Sequence, residues 1–260
     1  MVMKLSLAIS PCPNDTFAFD ALLNGRIDAG GMTFDVRFHD IEELNLGVLR
    51  GEADISKISC SVYPKIADRY EVLDSGSALG RGNGQLLVRR KGEGTPIRSV
   101  AVPGLNTTAN ALLNRYFPHV EKVVPMLFSD IAASVERGET DAGVLIHEGR
   151  FVYDRHSLVM VADLGERWEH ETSLPLPLGS IVIRRDLPGS LKREFGRLLA
   201  VSVRFAMEHP SLSRAFVRSH AQELDDGVID KHISLFVNDF TLSLGDEGRR
   251  AFERLTGCRI

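Results

Sequence analysis

Twice in this chain the run Arg-Gly-Glu-x-Asp separates an amphipathic stretch from an apolar one, at Arg50-Gly51-Glu52-Ala53-Asp54 and at Arg137-Gly138-Glu139-Thr140-Asp141. Each copy stands where a helix ends and a strand begins. A second pair of segments, 6–23 and 100–113, matches in its order of strand, loop and helix. Strand–turn–helix units recur in any α/β protein, so the weight lies on the shared order. It predicts two similar lobes whose strand ends point into one crevice, where ligands of open α/β sheets bind.

Hydrophobic periodicity supplies the remaining elements. Strands are predicted at 5–9, 32–38, 53–58, 71–73 and 85–89, and helices at 15–23, 41–49 and 63–68. The Gly/Pro-rich passage 91–96 interrupts this rhythm, after which the unit restarts with strands at 99–102, 123–127 and 142–146 and helices at 107–116 and 130–137. A second Pro/Gly passage, 174–179, leads into a strand at 180–184, and the rest reads as helices. The two passages predict paired crossings between lobes. Lobe one is then 1–91 with 176–260, lobe two is 92–175, and the ligand cleft lies between them.

Composition excludes several functions. With 260 residues, 43% apolar and 25% charged, the chain has the balance of a folded domain with a sizeable core. A net charge of −4, with arginine doublets scattered, argues against a nucleic-acid partner. The apolar run 5–9 is too short for a secretory signal or a membrane span, so with Met1 as the start the chain reads as cytoplasmic. Cys12, Cys60 and Cys258 form neither a CxxC pair nor a zinc spacing, which fits a reducing compartment.

Four segments carry candidate chemistry. In Ser10-Pro11-Cys12-Pro13-Asn14-Asp15-Thr16-Phe17 two prolines shape a loop before a helix that Asn14 or Asp15 can cap. Its N–H groups, with Asn14, Asp15 and Thr16, make a candidate anion-binding loop; a stiff, well-capped turn is the alternative. Cys12 lacks the surroundings of a known cysteine nucleophile. In lobe two, Pro103-Gly104-Leu105-Asn106-Thr107-Thr108-Ala109-Asn110 also opens onto a helix, with the hydroxyls of Thr107 and Thr108 beside free N–H groups. It lacks the Gly-Lys-Ser/Thr ending of a phosphate loop.

The third segment is the strand around Lys57 and Ser59, which alternation places on one side; a cation beside a hydroxyl suits an acidic ligand. The fourth is His147, directly after an apolar strand and at the end where α/β sheets build their sites. A neutral imidazole there is a candidate general base. Position 151 is Phe, so His147-Glu148 does not start the HExxH zinc motif. His39, His119, His156, His170, His209, His220 and His232 are dispersed without metal-like spacing, and no metal is expected.

Taken together, Ser10-Pro11-Cys12-Pro13-Asn14-Asp15-Thr16-Phe17, Ser56-Lys57-Ile58-Ser59, Asn106-Thr107-Thr108-Ala109, His147-Glu148-Gly149-Arg150 and Val237-Asn238-Asp239-Phe240-Thr241-Leu242-Ser243-Leu244-Gly245 resemble the 1,4-dihydroxy-6-naphthoate synthase family of menaquinone biosynthesis. The resemblance runs from about residue 5 to about residue 250. It implies a type II periplasmic-binding-protein-like fold, two mixed, mostly parallel sheets joined by two crossing segments. It also implies a cleft for cyclic dehypoxanthinyl futalosine, a small molecule with a carboxylate, and a reaction without a cofactor.

Carried over by position, His147 matches the family's base, Asn45 a pocket asparagine, and Lys57, Ile58 and Ser59 the first-lobe pocket segment. Thr108 and Ala109 match the Thr-Ala pair of the second lobe, with Thr107 the neighbour in an alignment one residue away. Glu148 and Asp15 are the acids open to a proton-donor role. A solute-binding protein of a transporter and a sister enzyme that dehydrates chorismate share the implied fold. The absent signal sequence argues against the first, and the 10–17 motif against the second.

Overall fold

A computed structural model describes residues 3–82, 84–147, 149–155, 157–222 and 225–260, so Glu148 and His156 lie outside the described residues. The first unit runs β1 (Met3–Ile9), α1 (Pro13–Leu23), β2 (Met32–Phe38), α2 (Ile41–Arg50), β3 (Ile55–Ser59), β4 (Tyr70–Val72) and β5 (Ala78–Gly80). The second runs β6 (Leu86–Arg90), β7 (Ser99–Val102), α3 (Thr108–Tyr116), β8 (Lys122–Pro125), α4 (Ile131–Arg137), β9 (Ala142–Leu145), α5 (Gly149–Val152), β10 (Leu158–Asp163) and α6 (Leu164–Thr172). The chain then returns through β11 (Leu176–Arg184) to α7 (Gly189–Glu208), α8 (Pro210–His220), α9 (Asp226–Phe236), α10 (Asp239–Leu242) and α11 (Gly245–Thr256).

The two sheets repeat one topology. The first has the order β2-β1-β3-β11-β4 and the second β8-β7-β9-β6-β10. β1 pairs in parallel with β2 and β3, and β7 with β8 and β9, while β11 runs antiparallel between β3 and β4 as β6 does between β9 and β10; β5 adds a further antiparallel pairing with β11. Both sheets are therefore mixed, with a larger antiparallel share than the strand–helix rhythm predicts.

The sequence echo is repeated in the hydrogen bonds. Asp54 Oδ2 accepts from Ser6 N at 2.8 Å and Ser6 Oγ at 2.7 Å, while Asp54 N donates to Ser6 Oγ at 2.9 Å. Asp141 makes the same three bonds with Ser99, at 2.8, 3.0 and 3.0 Å. Backbone donation from Ser99 holds the Asp141 carboxyl below its ordinary range. Ahead of each aspartate, Gly51 (φ 75°) and Gly138 (φ 74°) end α2 and α4 in the left-handed conformation, and Arg50 pairs with Glu52 as Arg137 does with Glu139.

Each sheet has its own core. Leu5, Leu7, Ile9, Ile55, Ile181 and Ile183 pack with Phe19 of α1 and Phe195 and Leu199 of α7. Around the second sheet, Val100, Val102 and Val144 pack with Leu112, Leu113 and the fully buried Trp168, whose Nε1 donates to Pro175 O at 3.0 Å. The apolar run 5–9 is thus a core strand, and among the described residues no helix is long and apolar enough to cross a membrane.

The crossings differ from the expected ones at one place. β6 belongs to the second sheet, so the first crossing precedes it and the passage 91–96 is a turn between β6 and β7. Glycine and proline mark a turn whichever elements it joins, and composition alone cannot separate the two cases. The crossing lies between β5 and β6, where Gly84 meets Gly165 so closely that a Cβ on Gly84 would stand 2.2 Å from Gly165 Cα. The second crossing enters β11, whose Leu176 pairs with Gly80 of β5, so the two crossings run side by side.

Smaller differences have local causes. The helix expected at 63–68 is a 3₁₀ turn over Cys60–Lys65, with Pro64 inside it. The strand β10 and helix α6 were not expected. Three consecutive apolar residues of β10, Val159, Met160 and Val161, are exposed, so the strand has no alternating pattern to read.

Candidate active site

The ends of β3 and β9 face each other across a cleft that is partly open to solvent. Lobe one contributes Ser10, Asn14, Asp15, Lys57 and Ser59 to its lining. Lobe two contributes Gln85, Thr107, Thr108, Ala109, His147 and Arg150.

On the first wall the chemistry is an internal ion pair. Lys57 Nζ lies 2.7 Å from Asp15 Oδ1, with the two side chains 5% and 4% exposed. Ser10 Oγ donates to Asp15 Oδ2 at 2.6 Å and Asn14 Nδ2 to Asp15 Oδ1 at 2.8 Å. This corrects the expected anion-binding loop, because the loop brings its own anion. Thr16 is fully buried, does not line the cleft, and donates to Cys12 O and Pro13 O at 3.1 and 3.3 Å. The N-cap of α1 is Cys12, not Asn14 or Asp15. Lys57, likewise, already has its counter-charge.

Alternation along β3 puts Lys57 and Ser59 toward the cleft and Ile58, fully buried, into the core on the other side. Ile58 is therefore no cleft residue. Asn45 is also fully buried outside the lining: its Nδ2 donates to Ser59 Oγ at 3.0 Å and its Oδ1 accepts from Ser59 N at 2.8 Å. It braces Ser59 from behind.

The second wall opens on α3. Thr107 is its N-cap, its Oγ1 accepting from Asn110 N at 3.2 Å and donating to Gly104 O at 2.7 Å. Thr108 Oγ1 donates to Leu178 O at 2.9 Å. Both threonine hydroxyls are thus engaged by backbone. What remains for an anion is the first turn itself: the N–H groups of Thr108 and Ala109 have no acceptor among the described residues, and both residues line the cleft. Arg150, bonded to Gly84 O and paired with Asp163 at 3.3 Å, adds an ion pair to this wall. Gln85 adds a buried Oε1 with no hydrogen-bond partner among the described residues. Sequence reasoning assigned neither; Arg150 was visible only as the end of the His147 motif.

His147 follows β9 in the left-handed region, φ 52°, an uncommon conformation for a residue with a Cβ and a frequent one at functional sites. Its ring packs edge-on to Phe128 at 5.0 Å, stacks on His232 at 5.9 Å, and has Cys12 Sγ 3.6 Å from Nδ1 and 3.8 Å from Nε2. The fold thus brings together His147 and Cys12. The other buried thiol, Cys60, is pushed by burial up to about 12 and is inert. No group of three or more His, Cys, Asp or Glu side chains among the described residues could hold a metal ion.

Asn106 also joins the lobes beside the cleft. Asn106 donates to Glu42 from N and from Nδ2 (2.7 Å), its Oδ1 accepts from Lys65 Nζ at 2.8 Å, and its carbonyl accepts from Ser61 Oγ and Asn45 Nδ2 at 3.1 and 3.3 Å. Gly104, φ 143°, admits Glu42: a Cβ there would stand 2.4 Å from the carboxylate. Replacing Asn106 with Ala is expected to loosen closure and raise KM about tenfold, a loss the size of one charge-assisted hydrogen bond. Steady-state kinetics check this, and an unchanged KM would show that closure does not depend on Asn106.

A profile of the family described as "Menaquinone biosynthesis" matches residues 5–258. The chain is similar to the 1,4-dihydroxy-6-naphtoate synthase of Streptomyces coelicolor, 43% identical over 96% of this chain and 91% of that protein. It is similar to the synthase of the same name from Thermus thermophilus, 44% identical over 96% and 92%. Among solved structures, protein AF1704 of Archaeoglobus fulgidus matches with a TM-score of 0.88 and 33% identity, covering 97% of this chain and 95% of that one. A Candida albicans protein with the generic periplasmic binding protein fold matches at a TM-score of 0.74 and 12% identity, over 98% and 89%, which bears on fold alone. This chain belongs to the menaquinone biosynthesis family.

Proposed function

We propose that this chain is a carbon–carbon lyase that converts cyclic dehypoxanthinyl futalosine to 1,4-dihydroxy-6-naphthoate and releases dihydroxyacetone, with His147 as general base. Membership of the family supplies the reaction. The observation that carries the assignment of roles is the pairing of a histidine ring with an anion-accepting helix end on one wall of a single cleft.

The substrate's carboxylate is assigned to the first turn of α3, where the N–H groups of Thr108 and Ala109 favour a negative charge. Lys57, neutralised by Asp15, acts as part of a rigid polar wall. His147 removes a proton to begin a retro-aldol-like, eliminative ring opening, and the gain of aromaticity makes the last step downhill. Placement, exclusion of water and one base suffice for this chemistry, so the reading invokes no cofactor. It also places the protein in the cytoplasm.

Incubating the purified protein with cyclic dehypoxanthinyl futalosine and following both products by mass spectrometry tests the proposal. Appearance of the naphthoate and dihydroxyacetone together is the expected result. Tight binding of a solute with no conversion would instead favour a transport-type binding protein.

A further inference from the structure

His232 lies on α9, in none of the motifs that mark the cleft, yet it touches both halves of the site. It is 1% exposed, and its Nε2 is 2.9 Å from Asn14 Oδ1. Its ring stacks on His147, with planes 12° apart, and packs against Phe236 at 4.6 Å. Its Nδ1 is buried and has no hydrogen-bond partner among the described residues.

The proton positions follow from Asp15. With Lys57 Nζ at 2.7 Å, Asp15 is a carboxylate and only accepts, so Asn14 turns Nδ2 toward it and presents Oδ1 to His232. An amide oxygen needs a donor. His232 therefore carries its proton on Nε2, and the unpartnered Nδ1 is a bare lone pair. Burial, followed by the nearby charges of His147 and Lys57, holds His232 well below the ordinary histidine range, so the ring stays neutral.

We propose that His232 is a positioning residue of the reaction: its Nε2–H locks the Asn14 amide and, through Asn14 and Asp15, the polar wall beside His147. Asn14, Asp15 and Lys57 belong to lobe one and His147 to lobe two, so His232 ties the polar wall to the base across the cleft. Without the Nε2–H donor the Asn14 amide is free to rotate, Asp15 loses a donor, and the wall beside His147 shifts. A misplaced base slows chemistry more than it weakens binding.

The inference rests on the reading of His147 as base, and two variants of the full chain test it. His232→Phe keeps the ring and removes the donor, whereas His232→Gln supplies an amide N–H near the place of Nε2 and removes the ring. Positioning predicts that His232→Phe lowers kcat about tenfold or more with KM changed less than about threefold, and that His232→Gln restores most of kcat. A packing role alone predicts the reverse order, and that order would overturn the proposal.

A long-range ¹H–¹⁵N spectrum of the histidine-labelled wild-type chain is the second readout. It is expected to show His232 neutral and protonated at Nε2; protonation at Nδ1 would overturn the proposal, even where a variant fails to fold. This readout needs no substrate. Failure of the wild-type protein to convert the cyclic precursor would therefore count against the proposed reaction and leave the His232 assignment standing on the spectrum.

Discussion

His147→Ala is expected to fold normally, to bind substrate within a few-fold of wild type, and to lose turnover by about 10² to 10⁴, the usual contribution of a positioned acid–base group. Binding survives because the helix end of α3 and the polar wall of lobe one are untouched. Stability survives because position 147 is half-buried and in the left-handed region, where the original side chain gains nothing from its backbone. His147→Asn is the companion variant, since asparagine tolerates those angles better than alanine. Calorimetry measures binding, and naphthoate formation measures turnover. Turnover within threefold of wild type in both variants would place the base elsewhere.

Lys57→Ala is expected to cost about 3–5 kcal/mol of stability, because it strands the Asp15 carboxylate in a site where both partners are almost fully buried. A solvated surface lysine would change stability by no more than about 0.5 kcal/mol. The double variant Lys57→Ala with Asp15→Ala should recover much of the loss, since the unpaired charge is then gone. Denaturant unfolding of the single and double variants measures the coupling. Equal losses in Lys57→Ala and the double variant would show that Asp15 does not depend on Lys57 for its charge.

Much of this architecture was legible. The echo around Asp54 and Asp141 predicted duplicated lobes, and the structure repeats it down to the serine each aspartate grips. Strand alternation placed Lys57 and Ser59 on one face, and His147 stands at the strand end where it was expected. What the pattern could not give was pairing across long sequence separations. Nothing near Lys57 announces Asp15 as its partner, 42 residues away, and a lysine beside a serine reads as an anion site until that partner is seen. Asn45 enters as a pocket residue through the resemblance alone, yet its amide faces Ser59.

His232 was hidden for the same reason. It sits on a helix built from a later part of the chain, 218 residues from Asn14, and its spacing to other histidines matches no motif. The first crossing was misplaced because residues 91–96 have a linker's composition, whereas the true crossing is marked by the contact of Gly84 with Gly165. Both are facts of tertiary contact.

Chemical rescue tests the central claim most directly. In His147→Gly the left-handed backbone is relaxed and a space the size of an imidazole is left beside Phe128 and His232. If His147 moves the proton, naphthoate formation by this variant is close to zero in ordinary buffer and rises in proportion to added neutral imidazole. Naphthoate formation at the wild-type rate without imidazole would contradict the account.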